Sequence, residues 1–241
     1  IGQMNAPLEQ LIHFFKKGQD ARLSIDRMSE IHTYNNEELE NQTTLVDNNN
    51  DIVLQNISFQ YEGEYSPYIL KDVNLKIPHG KVTAIVGASG SGKTTLLKLL
   101  LKFYDVTKGN INIGNQNLND INPNQWREKC GVVMQDGFIF SDTIERNITI
   151  SDNEINKERL IEACKVSNIF EFIQTLPLGF NTKIGGNGLG VSIGQKQRIL
   201  IARAIYKNPD FLFFFEAISA LDANNDKEIK GVLCLATKKT I

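Results

Sequence analysis

The sequence predicts an α/β protein with a parallel-sheet core, an antiparallel β subdomain ahead of the core and a helical subdomain within it. Three observations carry that expectation. Lys81 to Val86 (KVTAIV) is a compact β-branched run that ends in glycines and leads into KTTLLKLLLKF, so strand, glycine-rich turn and helix follow as at the entry of a βαβ unit. Two alternating runs, IVLQNISFQY and YILKDVNLKI, precede it between the turn sequences EGEYSP and PHGK and read as antiparallel strands. Phe211 to Phe215 (FLFFF) is apolar at every position, as a central parallel strand covered by helices on each side requires.

The remaining elements fall in order around these. Residues 1–33 place Leu8, Leu11, Ile12, Phe15, Leu23, Ile25 and Ile31 at near-helical spacing with one slip around Gly18, which reads as one or two amphipathic helices. Residues 34–51 are rich in Asn and Glu, the composition of a solvated linker. GNINIG and CGVVMQ read as strands, Asp142 to Phe172 is mostly amphipathic and helical, and Gln195 to Tyr206 is a strongly periodic helix. The 241 residues carry 26 Lys+Arg against 28 Asp+Glu, a net charge of -2. That balance lacks the clustered basic excess that nucleic acid demands, so no nucleic-acid partner is expected. Cys130, Cys164 and Cys234 are odd in number and far apart, which argues against a disulfide framework or zinc knuckle and suits a reducing compartment. No apolar stretch approaches the roughly 18 residues needed to cross a bilayer, and the first ten residues lack the pattern of a secretory signal.

The chemistry is concentrated in GASGSGKTT, residues 87–95, which matches G-x-x-x-x-G-K-[ST] between a predicted strand and a predicted helix. This is a P-loop. Its small residues, Gly87, Ser89, Gly90, Ser91 and Gly92, let successive backbone N–H groups curl around an anion at the positive end of the following helix. Lys93 supplies a point charge for the β- and γ-phosphates, the Thr94 hydroxyl a ligand for Mg²⁺, and Thr95 a contact for the α-phosphate. A guanine-specific NTPase would add N-K-x-D, but Asn156-Lys157 continues with Glu158 and Arg159.

Residues 191–222, VSIGQKQRILIARAIYKNPDFLFFFEAISALD, together with the P-loop ahead of them, resemble the nucleotide-binding domain of an ATP-binding cassette (ABC) transporter of the exporter type, in the style of bacterial peptide or bacteriocin exporters. The resemblance implies ATP and Mg²⁺ as ligands, a second nucleotide-binding domain in a head-to-tail dimer, a transmembrane domain as partner, and a place on the cytoplasmic face of a bacterial inner membrane. SIGQKQR stands at the family's signature, so Ser192, Gly194 and Gln195 would touch the γ-phosphate held by the opposing subunit. Gln135 matches the glutamine that senses Mg²⁺ and water, and Glu216 the catalytic carboxylate; a solvated glutamate at a strand end is the plain alternative for the latter. Tyr61 falls where the family stacks an aromatic on adenine, or it is an edge-strand aromatic packing on the core. Ser219 to Asp222 match the loop that crosses the dimer interface. Residues 1–33 resemble the end of an exporter's last membrane helix, with a helix docked on the cassette itself as the alternative. Residues 34–51 form the linker and 52–241 the cassette.

Three departures bear on mechanism. Phe215 stands where the family has the aspartate that holds the Mg²⁺ shell, a change that folding tolerates and phosphoryl transfer does not. Ile193 replaces a glycine of the signature, where overpacking would weaken a nucleotide-sandwiched dimer. His13, His32 and His79 all precede the P-loop, so the cassette is expected to be incomplete at its C-terminal end and to lack the family's switch histidine. Impaired hydrolysis is the expectation, and a degenerate nucleotide-binding module with little turnover is the alternative reading.

Overall fold

The computed structural model describes residues 5–33, 50–62, 65–88, 90–134, 136–150, 152, 154–186, 188–215 and 235–237. The chain divides into two units, 1–40 and 41–241. In the first, one helix, α1 (Asn5–His32), runs unbroken through Gly18. A single interior glycine costs about 1 kcal/mol relative to alanine, too little to break a helix of this length. Leu11, Ile12, Phe14, Phe15 and Ile25 are exposed along it. Among the described residues no helix is long and apolar enough to cross a membrane.

The second unit opens with the antiparallel sheet the alternating runs predict. Strands β1 (Ile52–Phe59), β2 (Leu70–Ile77), β4 (Lys108–Ile113) and β5 (Gln116–Asn117) lie in the order β2-β1-β4-β5. The register of β1 slips against both neighbours between Leu54 and Ser58, where Asn56 takes a left-handed backbone (φ 50°) and Asn74 Oδ1 accepts its N–H at 2.9 Å. Opposite the slip Gly109 (φ 85°) leaves no room for a side chain, since a Cβ would stand 2.4 Å from the carbonyl oxygens of Gln55 and Asn56. This irregularity shifts the register ahead of Phe59.

The core sheet holds the expected parallel pair together with one antiparallel strand. Its order is β3 (Val82–Thr83), β8 (Leu235–Thr237), β7 (Phe211–Phe214), β6 (Cys130–Val133). Strands β6 and β7 pair in parallel, whereas β8 lies antiparallel between β3 and β7. The expected strand 81–86 contracts to two paired residues, and Val82, Ile85 and Val86 are exposed. β-branched composition favours a strand through the packing it finds, and β3 pairs only through Val82 and Thr83. Strand β7 behaves as its composition requires. Phe211 and Phe213 join the main core beside Trp126 of α3 (Pro123–Glu128), with the Phe211 and Trp126 rings 5.0 Å apart. Leu212 points the other way, onto Leu200, Ile201 and Ala204 of α7 (Ile193–Tyr206).

The P-loop helix, α2 (Lys93–Leu100), buries Leu96, Leu97, Leu99 and Leu100 in the main core, each such side chain stabilising by about 1.5–3 kcal/mol. The helical subdomain forms as predicted. Helices α4 (Ile144–Ile148), α5 (Lys157–Val166) and α6 (Phe170–Thr175) pack with α7 around Ile144, Leu160, Cys164, Ile173 and Ile199.

Candidate functional site

Because β8 runs opposite to both its neighbours and β6 runs with β7, the carboxyl ends of β3, β6 and β7 emerge at one edge of the core sheet. That edge is where open α/β sheets place ligands. It brings together the approach to the P-loop, the segment after Val133 and Phe215. Gln135, Ser89, Glu216 and Ser219 to Asp222 lie outside the described residues.

The P-loop is built on backbone conformations that side chains resist. Gly90 and Gly92 adopt φ 79° and 88°, and a Cβ on Gly92 would meet Leu70 Cδ2 at 2.7 Å. Gly92 is also the N-cap of α2, and no side chain caps the first turn there. The positive end of the helix is therefore left for an external anion. The Lys93 ammonium folds over the loop, donating to the carbonyls of Gly87 and Ala88 at 2.8 Å each and to Ser91 Oγ at 3.4 Å. Thr94 is exposed at the start of the helix. Thr95 is buried, and its hydroxyl lies 3.2 Å from that of Tyr61. The donor set and the glycine geometry fit a polyphosphate. For a divalent cation, Thr94 offers a hydroxyl, whereas Phe215 offers no donor: its backbone N–H donates to Val133 O at 2.9 Å and its ring packs on the main core.

Tyr61 sits just beyond β1, near α2. Its ring meets Phe59 at 4.9 Å and Tyr104 at 5.1 Å, both nearly perpendicular. It contacts the buried Phe59 and remains 40% exposed. The Lys98 ammonium lies 5.7 Å and 5.9 Å from the Tyr61 and Tyr104 ring centroids. Lys98 and Tyr104 were not singled out by the sequence; the aromatic at the end of the P-loop helix was the available signal.

The signature residues form the start of α7. Ser192 Oγ accepts the Gln195 N–H at 3.2 Å while Gln195 Oε1 accepts the Ser192 N–H at 2.9 Å, a capping box legible as S-x-x-Q. Ile193 is 70% exposed, so within this chain it overpacks nothing. A Cβ on Gly194 would meet open space. No hydrogen bond joins Ser192, Gly194 or Gln195 to the described P-loop residues.

Further along α7, Arg203 ties the segment after β6 to the helical subdomain, donating to Phe138 O at 2.9 Å and Asn147 O at 2.7 Å. Burial pulls its guanidinium below the ordinary arginine value. Asn147 is fully buried, donates to the carbonyls of Phe140, Asp142 and Thr143, and accepts the Phe140 N–H at 2.8 Å. The Cys164 thiol is pushed up to about 12 by burial, and Cys130 is pushed up further by the same cause, so neither is a nucleophile in the folded chain. Among the described residues, no cluster of three or more His, Cys, Asp or Glu side chains could hold a metal.

With this geometry in hand, comparison with known proteins is specific. Residues 70–219 match the family model described as ABC transporter. The chain is 40% identical over 225 residues to the exotoxin translocation ATP-binding protein PaxB of Pasteurella aerogenes, covering 93% of the chain and 32% of that protein. It is 39% identical over 228 residues to the alpha-hemolysin translocation ATP-binding protein HlyB of Proteus vulgaris, covering 95% of the chain and 32% of that protein. Among solved structures, a bacterial Atm1-family ABC exporter with ATP bound superposes with a TM-score of 0.80 at 33% identity, over 95% of this chain and 40% of that one. The chain thus spans about a third of the length of these curated relatives. The chain belongs to the ABC transporter family.

Proposed function

We propose that this chain is the ATP-binding domain of an exporter and that ATP closure of two such domains drives translocation of a peptide or protein. The observation that carries this reading is the P-loop: two left-handed glycines, an uncapped helix start and a lysine folded over the loop, all at the carboxyl edge of the core sheet. The relatives named for toxin translocation support the exporter class and the peptide cargo. The comparisons give no support to the degenerate-module alternative.

Residue by residue, Lys93 would exchange its two carbonyl partners for phosphate oxygens, a replacement of neutral by charge-assisted hydrogen bonds that favours the bound state. Backbone N–H groups around Gly87 to Gly92, with Ser89 and Ser91, would cradle the phosphates, and Thr95 would lie between the α-phosphate and Tyr61. Tyr61 would stack on adenine. Thr94, with Gln135, would hold Mg²⁺, which when bound neutralises charge on the β- and γ-oxygens. Glu216 would orient the attacking water. Ser192, Gly194 and Gln195 would complete the site of the opposing subunit in a head-to-tail dimer. The same reading gives residues 1–33 to the end of a membrane helix or a coupling helix, 34–51 to a linker and the rest to the cassette, held at the cytoplasmic face of a bacterial inner membrane by its transmembrane partner.

Equilibrium titration of ATP tests this. The chain is expected to bind ATP, and Lys93→Ala is expected to weaken binding by at least about thirty-fold, the loss of one partner of a close charge pair. Unchanged affinity in Lys93→Ala would overturn the assignment.

A further inference from the structure

We infer that Tyr104 is a positioning residue for the nucleobase, holding the Tyr61 ring at the angle that base stacking needs, with Lys98 bridging the two rings. The inference rests on the reading above that Tyr61 is the adenine platform. Tyr61 follows the end of a strand and is 40% exposed, so β1 alone does not fix its ring. Three contacts do. Phe59, buried in the core, meets it at 4.9 Å and 84°, and Tyr104 meets it at 5.1 Å and 86°. Its hydroxyl reaches Thr95 on the buried side of α2. Perpendicular pairs of this kind are favourable in themselves, and neither neighbour is stacked parallel on Tyr61. The parallel mode is thereby left for a flat ligand.

Tyr104 can act as a support because the residues just before it are held in place. Lys102, two residues before it, takes a left-handed conformation (φ 55°) that ends the helical turn, and its buried ammonium donates to the carbonyls of Asn119, at 2.9 Å, and Ile121. Arg127 donates to the carbonyls of Leu101 and Lys102 and places its guanidinium 4.9 Å from the Phe103 ring. Residues 101–103, immediately before Tyr104, are therefore tied to α3 and the loop before it, and the Tyr104 ring follows directly on them against Tyr61. Lys98, one turn along α2 from Thr94 and Thr95, is within cation–π range of both rings, so the pair is also tied to the helix that begins at the phosphates.

The test compares ATP with tripolyphosphate, which has no base, as ligands of the 241-residue chain. Tyr104→Leu is expected to weaken ATP about three- to ten-fold, the cost of ordering one side chain that is no longer held in place, while tripolyphosphate affinity stays within two-fold. Tyr104→Phe, which keeps the ring, is expected to restore ATP affinity. Tyr61→Leu is expected to lose more, and adding Tyr104→Leu to it is expected to cost nothing further, because a support without its platform has no effect. If Tyr104→Leu fails to fold, Tyr104→Met replaces it in the same comparison. Equal losses for ATP and tripolyphosphate, no loss of ATP affinity in Tyr104→Leu, or additive losses in the double variant would each overturn the positioning role. Failure of the underlying reading looks different: Tyr61→Leu would leave the ratio of ATP to tripolyphosphate affinity unchanged, or Lys93→Ala would leave both ligands unaffected.

Discussion

The P-loop and the end of β7 stand at the same edge of one sheet and answer to opposite constraints. The P-loop combines two left-handed glycines, a helix start without a side-chain cap, and a lysine whose ammonium lies on neutral carbonyls. Those features make sense for an anion. At the end of β7 the relation is reversed. Phe215 extends an apolar strand, donates its N–H to Val133 and packs on the core, which suits the fold and offers nothing to a cation. The first position offers donors to an anion, and the second offers a cation no donor. Phosphate binding and hydrolysis are therefore expected to be separable along this edge.

The comparison can be broken at either position. The largest expected effect is on the P-loop side, where Lys93→Ala should remove most ATP affinity and leave the thermal midpoint without ligand almost unchanged; a large drop in midpoint would mean that the lysine is structural. Next in size is Asn147→Ala, which strands the Phe140 N–H and removes the amide donor from the carbonyls of Phe140, Asp142 and Thr143, and is expected to cost about 3 kcal/mol in urea unfolding. ATP affinity measured under native conditions should not change with it, which separates the scaffold from the edge. Alkylation of Cys130 and Cys164 at pH 8 should be negligible until the chain unfolds, since burial holds both thiols protonated. The smallest effect is at Asp51, whose carboxylate is lowered by Lys76, at 2.8 Å, and by the His79 N–H. A depressed carboxyl group stabilises above its unfolded value of about 4 and loses that contribution as pH falls through its folded value. Asp51→Asn should therefore be less stable than the unmodified chain at pH 6 and approach it as pH falls below about 4.

What was legible in the sequence was local. GASGSGKTT carries its strand, turn and helix in consecutive residues, and FLFFF announces two buried faces without reference to any partner. The helical subdomain followed from period alone. The antiparallel insertion of β8 between β3 and β7 was not legible, because its pairing with β3 joins residues more than 150 positions apart, Val82 with Ala236 and Thr83 with Leu235. Gly18 read as an interruption because glycine punctuates, yet the surrounding helix formers carry α1 through it. Tyr61 was singled out from its place after Phe59 in ISFQY, but Tyr104, Lys98 and the Arg203–Asn147 tie join elements that the chain order keeps apart.

The most direct test of the separation is Mg²⁺-dependent ATP turnover in the unmodified chain beside Phe215→Asp, with ATP affinity measured on the same samples. Similar affinities with faster turnover in Phe215→Asp are predicted, because the substitution adds a cation ligand at the edge without touching the phosphate cradle. Turnover by the unmodified chain at the rate of the variant, abolished by Glu216→Gln, would show that hydrolysis at this edge does not need a carboxylate at position 215 and would contradict it.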